Sequence, residues 1–548
     1  MGVIYRARRV VTLDPALPRA EAVAVRDDRI LGVGTIDELR ANWGRLPVLD
    51  RYAGDVLLPG FVEAHAHTTE GALWAWEYVG YFPRLGPDGR MRNGCRSFES
   101  LLDVLRAVDA QLAPDESLIV WGYDPIYFPG ERLAAHHLDL VSTTRSICVI
   151  HASLHLITVN TALMEREGFA DGSEVEGVPV GGDGRPIGEL QEPPAMSLAR
   201  REMVAVFGAL NSPGAISRFA DMARLVGCTT VTELGAGRLL GQDDVDLWLT
   251  TAAADRFPAR MVPFLNPARN PGAPDELAEH VHELRAQSTD IVRFGHVKLV
   301  LDGSIQGFTA RLNPPGYLPD PEGRERPNGI WLMAPERFAE LFEAFHRAHV
   351  TVHVHVNGDE AVDLLLDTAE QALADHAWLD HRHTAQHTQL TTAAQYRRMA
   401  RLGMNANIFS NHIFYWGDQH RSITVGADRA ARMDACATAA REGVRFSVHS
   451  DASVTPLGSL HTMWCAVNRV TASGDVLGPD ERITVDRALR AVTVDAAHQL
   501  RMDHEIGTIE AGKLADFVAL AEDPNDVEPM RLRDIEVRGT MVGGIATA

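Results

Sequence analysis

The chain has 548 residues, of which 45% are hydrophobic and 23% charged, and its formal net charge is −22 at pH 7. A single core stops growing near ~250–300 residues, so we expect one large domain and a smaller one. The negative charge argues against a nucleic-acid or anionic-membrane partner, because phosphate contacts need a basic surface. The five cysteines form no Cys-x-x-Cys pair, and no apolar stretch approaches the ~20 residues that span a bilayer. With no signal peptide expected, the sequence predicts a cytoplasmic protein with reduced thiols.

Both ends of the chain show short alternating strands. "VIYRARRVVTLD" alternates near the N-terminus, and "EAVAVRDDRILGVG" is typical of a hairpin that turns at Asp-Asp. The same character returns near the C-terminus in "GTIEAGKLADFVALAED" and "DIEVRGTMVGGIA". We therefore predict one small composite β-domain, built from residues 1–58 and 504–548.

The middle of the chain, residues 59–503, alternates strand-like runs with helix-length segments. Eight runs read as strands: "GFVEAHAH", "GCTTVTELG", "ARMVPFLN", "GHVKLVLDGS", "VTVHVHVNGD", "RHTAQHTQ", "GMNANIFS" and "VRFSVHSDAS". Eight βα units predict an α/β fold of the (β/α)₈ barrel type, with its active site at the C-terminal ends of the strands. About 150 residues, roughly 70–220, separate the first two strands and are a candidate lid and specificity region.

Polar side chains mark the ends of the predicted strands. Residues i and i+2 of a strand point to the same face, so His65 and His67 leave the first strand side by side. Later strands carry Lys298, His353, His355, His387 and Asp451. An isolated His-x-His is equally well explained as a pair of ordinary buried histidines. Imidazoles on several strands of one barrel, with a carboxylate on the eighth, instead predict a metal site, since Zn²⁺ binds these groups at ~2.0–2.2 Å.

Several stretches closely resemble the amidohydrolase superfamily and, within it, the YtcJ-like (amidohydrolase 3) family. They are "LPGFVEAHAH", "VNTALM", "GELQE", "VKLVLDGSIQGFTA", "HVNGDEAV", "QHTQL", "HSDASVTP" and "GTIEAGKLADFVAL". The resemblance covers nearly the whole chain. It implies a distorted TIM barrel with a composite β-sandwich domain, and metal-dependent hydrolysis, usually of a C–N bond other than a peptide bond.

The resemblance also implies a set of metal ligands. His65 and His67 would bind the more buried metal together with Asp451, while His355 and His387 would bind the second. The cofactor would be a divalent metal, Zn²⁺ above others, with one or two ions per chain. His353 is assigned to the barrel interior.

Lys298 is expected to be carboxylated, because a carbamate can bridge two metals and a free ammonium cannot. Two other interpretations stay open. Lys298 could be unmodified and paired with Asp302, or Glu192, in "GELQE", could be the bridging acid.

Catalysis would follow from a metal-activated hydroxide, with Asp451 accepting the water's proton and passing it to the leaving amine. His155, in "SLHLITVN", is a candidate for steadying the oxyanion. The sequence departs from the family at two positions. Gln386 stands where relatives commonly have Glu, which is expected to alter metal affinity or the tuning of His387. His449 stands where many have Gly.

Aromatic residues crowd the segments expected around the barrel mouth and predict an apolar or aromatic substrate group. The candidate substrate-binding residues are His155, Glu192, Trp121, Asp302, Arg311, Tyr415 and Trp416. "NHIFYWGD" resembles the subset of the family that includes N-substituted formamide deformylases. The predicted function is therefore hydrolysis of a hydrophobic N-substituted amide or formamide.

Two alternatives to this function remain. The same metal site could serve a deaminase or an ester, carbamate or lactam hydrolase, and a non-catalytic binding protein is more remote. The expected partner is a small-molecule substrate, and a homodimer is open because relatives are often dimers.

Overall fold

In the computed structural model, which describes residues 2–128, 130, 132–235, 237–254 and 256–547, the chain divides into two units. One unit combines Met1–His67 with Ala223–Ala548, and the other is Thr68–Met222. Residues 1 and 548, at the ends of the predicted β-domain, lie outside the described residues. The two units are described separately below.

The first unit contains an eight-stranded parallel sheet in which the strands follow one another in chain order. Its strands are β1 (Phe61–Glu63), β2 (Cys228–Glu233), β3 (Arg260–Leu265), β4 (His296–Val300), β5 (Thr351–Val356), β6 (Thr384–His387), β7 (Asn405–Ile408) and β8 (Phe446–Val448). Just beyond the outer strands, the backbone N–H of Asp451 donates to His65 O at 3.1 Å and that of His67 donates to Ala452 O at 2.6 Å. All eight predicted strands are present, and the first and last meet, as in a TIM-barrel-like fold.

Helices connect and follow these strands. Their bounds are Gln242–Ala252, Pro274–Ala286, Pro335–Arg347, Asp359–Asp375, Ala393–Leu402, Asn411–Gln419, Ala427–Ala431, Cys436–Arg441, Ser459–Asn468, Val485–Ala491 and Val494–Gln499, with shorter helical turns at His420–Thr424, Pro479–Glu481 and Pro529–Asp534. The alternation of strand and helix explains why the sheet is parallel, since each strand must return to the same edge before the next begins.

Local sequence explains where individual helices begin and end. The hydroxyl of Thr392 accepts a hydrogen bond from the Gln395 N–H at 3.3 Å, and the Gln395 side chain accepts one from the Thr392 N–H at 2.9 Å. This reciprocal cap begins the helix Ala393–Leu402. Gly403 ends it with a left-handed backbone, φ 74°, which favours glycine.

Strands from both ends of the chain form one seven-stranded sheet. In spatial order they are Ile545–Thr547, Val537–Val542, Phe517–Leu520, Val48–Pro59, Gly2–Val11, Arg19–Arg26 and Arg29–Gly34. The hairpin predicted at Asp27 and Asp28 is present, since Arg26 pairs with Arg29. The helix Ile36–Trp43 follows it. The sheet contains strands from both ends of the chain, and a composite β-sandwich domain of residues 1–58 and 504–548 stays a prediction.

The second unit lies in sequence between β1 and β2. It holds a five-stranded sheet of Glu77–Tyr78, Leu118–Tyr123, Ile147–His151, Leu156–Val159 and Glu189–Gln191, and a two-stranded one of Arg84–Leu85 and Met91–Arg92. Its helices are Thr69–Leu73, Phe98–Asp109, Pro125–Tyr127, Ala135–Asp139, Thr161–Glu167, Glu192–Met196, Arg200–Leu210 and Pro213–Leu225, the last of which runs past its C-terminal boundary. Buried apolar residues such as Trp121, Ile150 and Leu190 form its core.

Two further expectations concern cysteines and membranes. All five cysteines are buried and free. Within the described ranges, no helix is both long enough and apolar enough to cross a bilayer.

Candidate metal centre

Three side chains, two just after β1 and one just after β8, converge at the C-terminal edge of the parallel sheet. The Nε2 atoms of His65 and His67 each lie 3.5 Å from Asp451 Oδ1. Asp451 Oδ1 is buried and has no hydrogen-bond partner among the described residues. Ligand atoms bound about 2.1 Å from a tetrahedral cation lie about 3.4 Å apart, so these three atoms fit one divalent metal.

Each of the two histidines has a partner on its other ring nitrogen. Glu233 Oε1, at the end of β2, lies 3.3 Å from His67 Nδ1. Gln386 Oε1, on β6, lies 2.6 Å from His65 Nδ1. Both oxygens accept a hydrogen bond from Nδ1–H, and Nε2 is the ring nitrogen of each histidine that faces Asp451. We expected Gln386 to act on metal affinity or on His387, and the structure places its amide on His65.

Glu63 ties the end of β1 to the segment that carries Asp451. Its carboxylate accepts hydrogen bonds from the His65 N–H at 3.2 Å, the Ser450 N–H at 3.2 Å and the Ser450 hydroxyl at 2.7 Å. Burial raises the pKa of Glu63 to about 8. This bridge holds two segments, separated by most of the chain, in the register that the site requires.

Lys298 lies on β4 with its side chain buried beneath these ligands. Its Nζ is 3.2 Å from His65 Nε2. Burial lowers the pKa of Lys298 to about 7, so the neutral amine is accessible near neutral pH. Neutral amines, unlike ammonium groups, can react with CO₂, and carboxylation of Lys298 stays a prediction.

Asp302 joins three backbone segments. Its carboxylate accepts hydrogen bonds from the backbone N–H groups of Arg311 at 3.0 Å, Asn357 at 3.0 Å and Gly358 at 2.9 Å. Gly358 is required here because a Cβ atom would lie 1.8 Å from the Arg311 carbonyl oxygen. These contacts position the loop that follows His355, and a contact of Asp302 with substrate stays a prediction.

His355 and His387, the predicted ligands of a second metal, lie side by side with ring centroids 4.3 Å apart. His387 leaves β6 with a left-handed backbone, φ 69°, and neither of its ring nitrogens has a hydrogen-bond partner among the described residues. Its Nδ1 is 3.7 Å from Asp451 Oδ2. Burial lowers the pKa of His355 to about 3, which keeps its imidazole in the neutral form that ligates metals.

His449 is a buried member of this cluster that the sequence analysis did not propose as a ligand. Ligand atoms of His65, His387 and His449 all lie within 4.8 Å of one another. The His449 ring stacks on that of His65, with centroids 4.6 Å apart and planes at 15°. The His449 ring also lies beside that of His387, with centroids 5.1 Å apart and planes at 61°. In the sequence, the signal that could have pointed to His449 was its position two residues before Asp451.

Besides Asp302, three candidate substrate-binding residues belong to the same unit as this centre. The Arg311 guanidinium donates to Glu360 Oε1 at 2.7 Å and to Gly329 O at 2.9 Å. Tyr415 and Trp416 lie on the helix after β7 and are buried. They belong to an aromatic cluster with Phe409, whose ring stacks on His449 at 4.7 Å.

Three other candidates lie in the second unit. His155 Nδ1 is 3.0 Å from Glu192 Oε2, and both side chains are more than half exposed. Trp121 is buried in the core of that unit, where its indole N–H donates to Trp76 O at 3.3 Å. Their roles in binding substrate or metal stay predictions.

Comparison with known families identifies a match over most of the chain. The model of the amidohydrolase family matches residues 53–547. Protein LONG AFTER FAR-RED 3 of Arabidopsis thaliana is 27% identical, covering 98% of this chain and 89% of its own. N-substituted formamide deformylase of Arthrobacter pascens is 26% identical, covering 98% of this chain and 96% of its own. Putative amidohydrolase YtcJ of Bacillus subtilis (strain 168) is 24% identical, covering 99% of each.

Solved structures show the same fold. An uncharacterized metal-dependent hydrolase from Pyrococcus horikoshii OT3 matches with a TM-score of 0.73 and 17% identity, covering 96% of this chain and 99% of its own. At this level of identity the likeness concerns the fold, and the chemistry must be argued from the residues themselves.

Proposed function

Since the chain belongs to the amidohydrolase family, we propose that it is a metal-dependent hydrolase that cleaves the C–N bond of an N-substituted amide with a hydrophobic substituent. The observation that carries the proposal is the convergence of His65 Nε2 and His67 Nε2 on Asp451 Oδ1, each at 3.5 Å. A buried carboxylate oxygen without a hydrogen-bond partner is costly unless a cation or substrate group meets it.

The proposed metal is zinc, held by His65, His67 and Asp451, with a second ion at His355 and His387. A divalent ion in such a site supplies Lewis acidity and lowers the pKa of a bound water. Glu233 contacts His67 at Nδ1, and the other ring nitrogen, Nε2, faces Asp451. Burial lowers the pKa of His65, His355 and His387, which keeps these three imidazoles neutral and their lone pairs available as ligands.

Asp451 is the proposed proton carrier. The proton released by the attacking water passes to Asp451 Oδ2, the carboxylate oxygen nearer to His387, which lies 3.7 Å away. The new C–O bond then forms as the C–N bond breaks, and the same proton moves from Asp451 to the leaving nitrogen. The products are a carboxylic acid and an amine, and the carboxylate is regenerated.

The proposal of a hydrophobic substituent is supported by the aromatic residues after β7. Phe409 packs against His449, and Trp416 packs against Phe409 with ring centroids 6.5 Å apart. Aromatic walls next to a few polar groups are typical of sites for apolar ligands. The relative named N-substituted formamide deformylase supports the choice of an N-substituted amide, and of a formamide within that class.

The test combines metal analysis with a substrate panel. We expect purified protein to contain zinc and to release amine from N-aryl- or N-alkylformamides faster than from the matching acetamides. Asp451→Asn is expected to lower kcat/KM by at least ~100-fold. The exposed Asp480→Asn serves as the control and is expected to leave kcat/KM unchanged.

Other outcomes of this panel would contradict the proposal. Ammonia released from aminated rings, with no amine from amides, would identify a deaminase. Preferred cleavage of esters, carbamates or lactams would identify another hydrolase, and metal-loaded protein without any turnover would favour a binding protein.

A further inference from the structure

Gln386 lies on β6 with its amide fully buried between two histidines. Its Oε1 accepts a hydrogen bond from His65 Nδ1 at 2.6 Å, and its Nε2 donates to His353 Nδ1 at 2.7 Å. His65 is a candidate metal ligand, and His353 belongs to the interior of the sheet. One amide therefore connects the metal centre to a histidine that has no place in the proposed chemistry.

The hydrogen-bonding pattern specifies the tautomer of His65. The Asn407 Nδ2 group, on the neighbouring β7, donates to the same Gln386 Oε1 at 2.9 Å. An amide oxygen only accepts, so the proton of neutral His65 must reside on Nδ1. The Nε2 lone pair of His65 is then available on the side of Asp451 and Lys298.

From these contacts, and resting on the metal site of the proposed function, we propose that Gln386 is a positioning residue that presents His65 to the metal. Because its amide is neutral, it holds the affinity for the metal below the level that a carboxylate would give. The other histidine after β1 provides the comparison, because His67 receives the same kind of support from the carboxylate of Glu233. Partners of this kind fix the orientation of an imidazole, and an anionic partner raises its basicity as well.

The surroundings would accept a carboxylate at this position. His353 is a buried imidazole whose Nδ1 faces the Gln386 side chain. With its proton on Nδ1, His353 can donate to a carboxylate at this position. A glutamate at position 386 would then accept from His65, His353 and Asn407 together. Gln386→Glu thus keeps the geometry and adds charge, whereas Gln386→Leu removes the hydrogen bonds and keeps most of the volume.

The experiment measures zinc dissociation constants by competition with a chromophoric chelator, starting from chelator-stripped full-length protein. We expect Gln386→Leu to weaken zinc binding by ~10–100-fold and Gln386→Glu to bind zinc more tightly than the wild type. The matched control is Gln389→Leu, three residues along the chain. Gln389 is also buried, and its Nε2 lies 2.9 Å from Nε2 of His420, a histidine outside the proposed metal site. This control is expected to lower thermal stability without changing zinc affinity.

The outcomes separate this inference from the proposed function. The positioning role would be overturned if Gln386→Leu bound zinc as tightly as the wild type, or if Gln386→Leu and Gln389→Leu weakened zinc binding equally. Either result would leave the metal site intact. A wild type that bound no zinc would overturn the proposed function and this inference together. Should Gln386→Leu fail to fold, Gln386→Glu decides alone, since weaker binding than the wild type contradicts the proposal.

Discussion

Two residues of the centre leave their strands in backbone conformations that few side chains adopt. His387 ends β6 with φ 69°, and Asp451 follows β8 with φ 50°. A left-handed conformation at a non-glycine residue costs of order 1–3 kcal/mol and persists only where surrounding contacts enforce it. Here the Asp451 N–H donates to the His65 carbonyl oxygen at 3.1 Å, so the pairing of β1 with the segment after β8 enforces the turn. The strain redirects both side chains toward the shared site.

A prediction at this scale concerns the acid that bridges two metals. Lys298→Ala in protein grown with added zinc and bicarbonate is expected to lower the metal content from about two ions per chain to one or fewer, because the carbamate would be lost. Metal counting by elemental analysis checks it. Glu192→Gln is the comparison and is expected to retain the metals. The reverse pattern, with loss in Glu192→Gln alone, would assign the bridge to Glu192 instead.

At the scale of elements, polar side chains join segments that the parallel sheet alone leaves unconnected. Asp503 follows the helix Val494–Gln499 and accepts hydrogen bonds from Arg382 Nη1 at 2.7 Å and His498 Nδ1 at 3.2 Å. Arg382 lies in the segment that leads into β6. The Asp503 carboxylate therefore links the helix, the approach to β6 and the start of the C-terminal β-region.

This link predicts a pH dependence of stability. Burial would raise the pKa of Asp503, but hydrogen bonds from His498 and Arg382 outweigh it and hold the pKa well below its usual range. A carboxyl with a lower pKa in the folded state stabilises the fold above its unfolded pKa of ~4, and this contribution is lost as pH falls below that value. In thermal unfolding, the melting temperature of Asp503→Asn should lie below that of the wild type at pH 7, and the difference should shrink toward pH 3. A difference independent of pH would contradict the assignment.

At the scale of the whole first unit, a buried ion pair connects its two large sheets. Arg260, the first residue of β3, donates through Nε to Asp516 Oδ2 at 2.7 Å and through Nη2 to Asp516 Oδ1 at 3.0 Å. Asp516 immediately precedes a strand of the seven-stranded sheet and also accepts from the Gly543 N–H at 2.7 Å. Both charged side chains are almost completely buried.

Breaking this pair is expected to be costly. Asp516→Ala leaves the Arg260 guanidinium buried without its counter-ion, which should lower the free energy of unfolding by ~3–5 kcal/mol. The double variant Arg260→Met/Asp516→Leu removes both charges and should recover most of that loss, since apolar replacement of a buried pair is often neutral. Urea-induced unfolding measures both. Equal destabilisation of the single and double variants would show that the charges themselves are unimportant.

Much of the fold follows from patterns within short segments. The period of two in "VTVHVHVNGD" and similar runs predicted all eight parallel strands, because strand-forming residues alternate faces regardless of what lies opposite. The strands of both termini were predicted in the same way. The histidines and aspartate at the strand ends could be found for the same reason, since parallel strands in a barrel present their C-terminal ends at one edge. The family assignment from those stretches is confirmed.

What could not be predicted is which interior side chains meet. Gln386 and His65 are 321 positions apart, and Ser450 and Glu63 are 387 positions apart. The alternation along a strand determines which face a residue occupies, but the register between strands determines its neighbour across the interior. Strand pairing therefore decides that Glu63, Glu233 and His449 join the site. It also decides that Gln386 lies against His65 instead of His387. The sequence by itself determined the strands and the kinds of ligand they carry, and only the tertiary structure decided how those ligands are oriented.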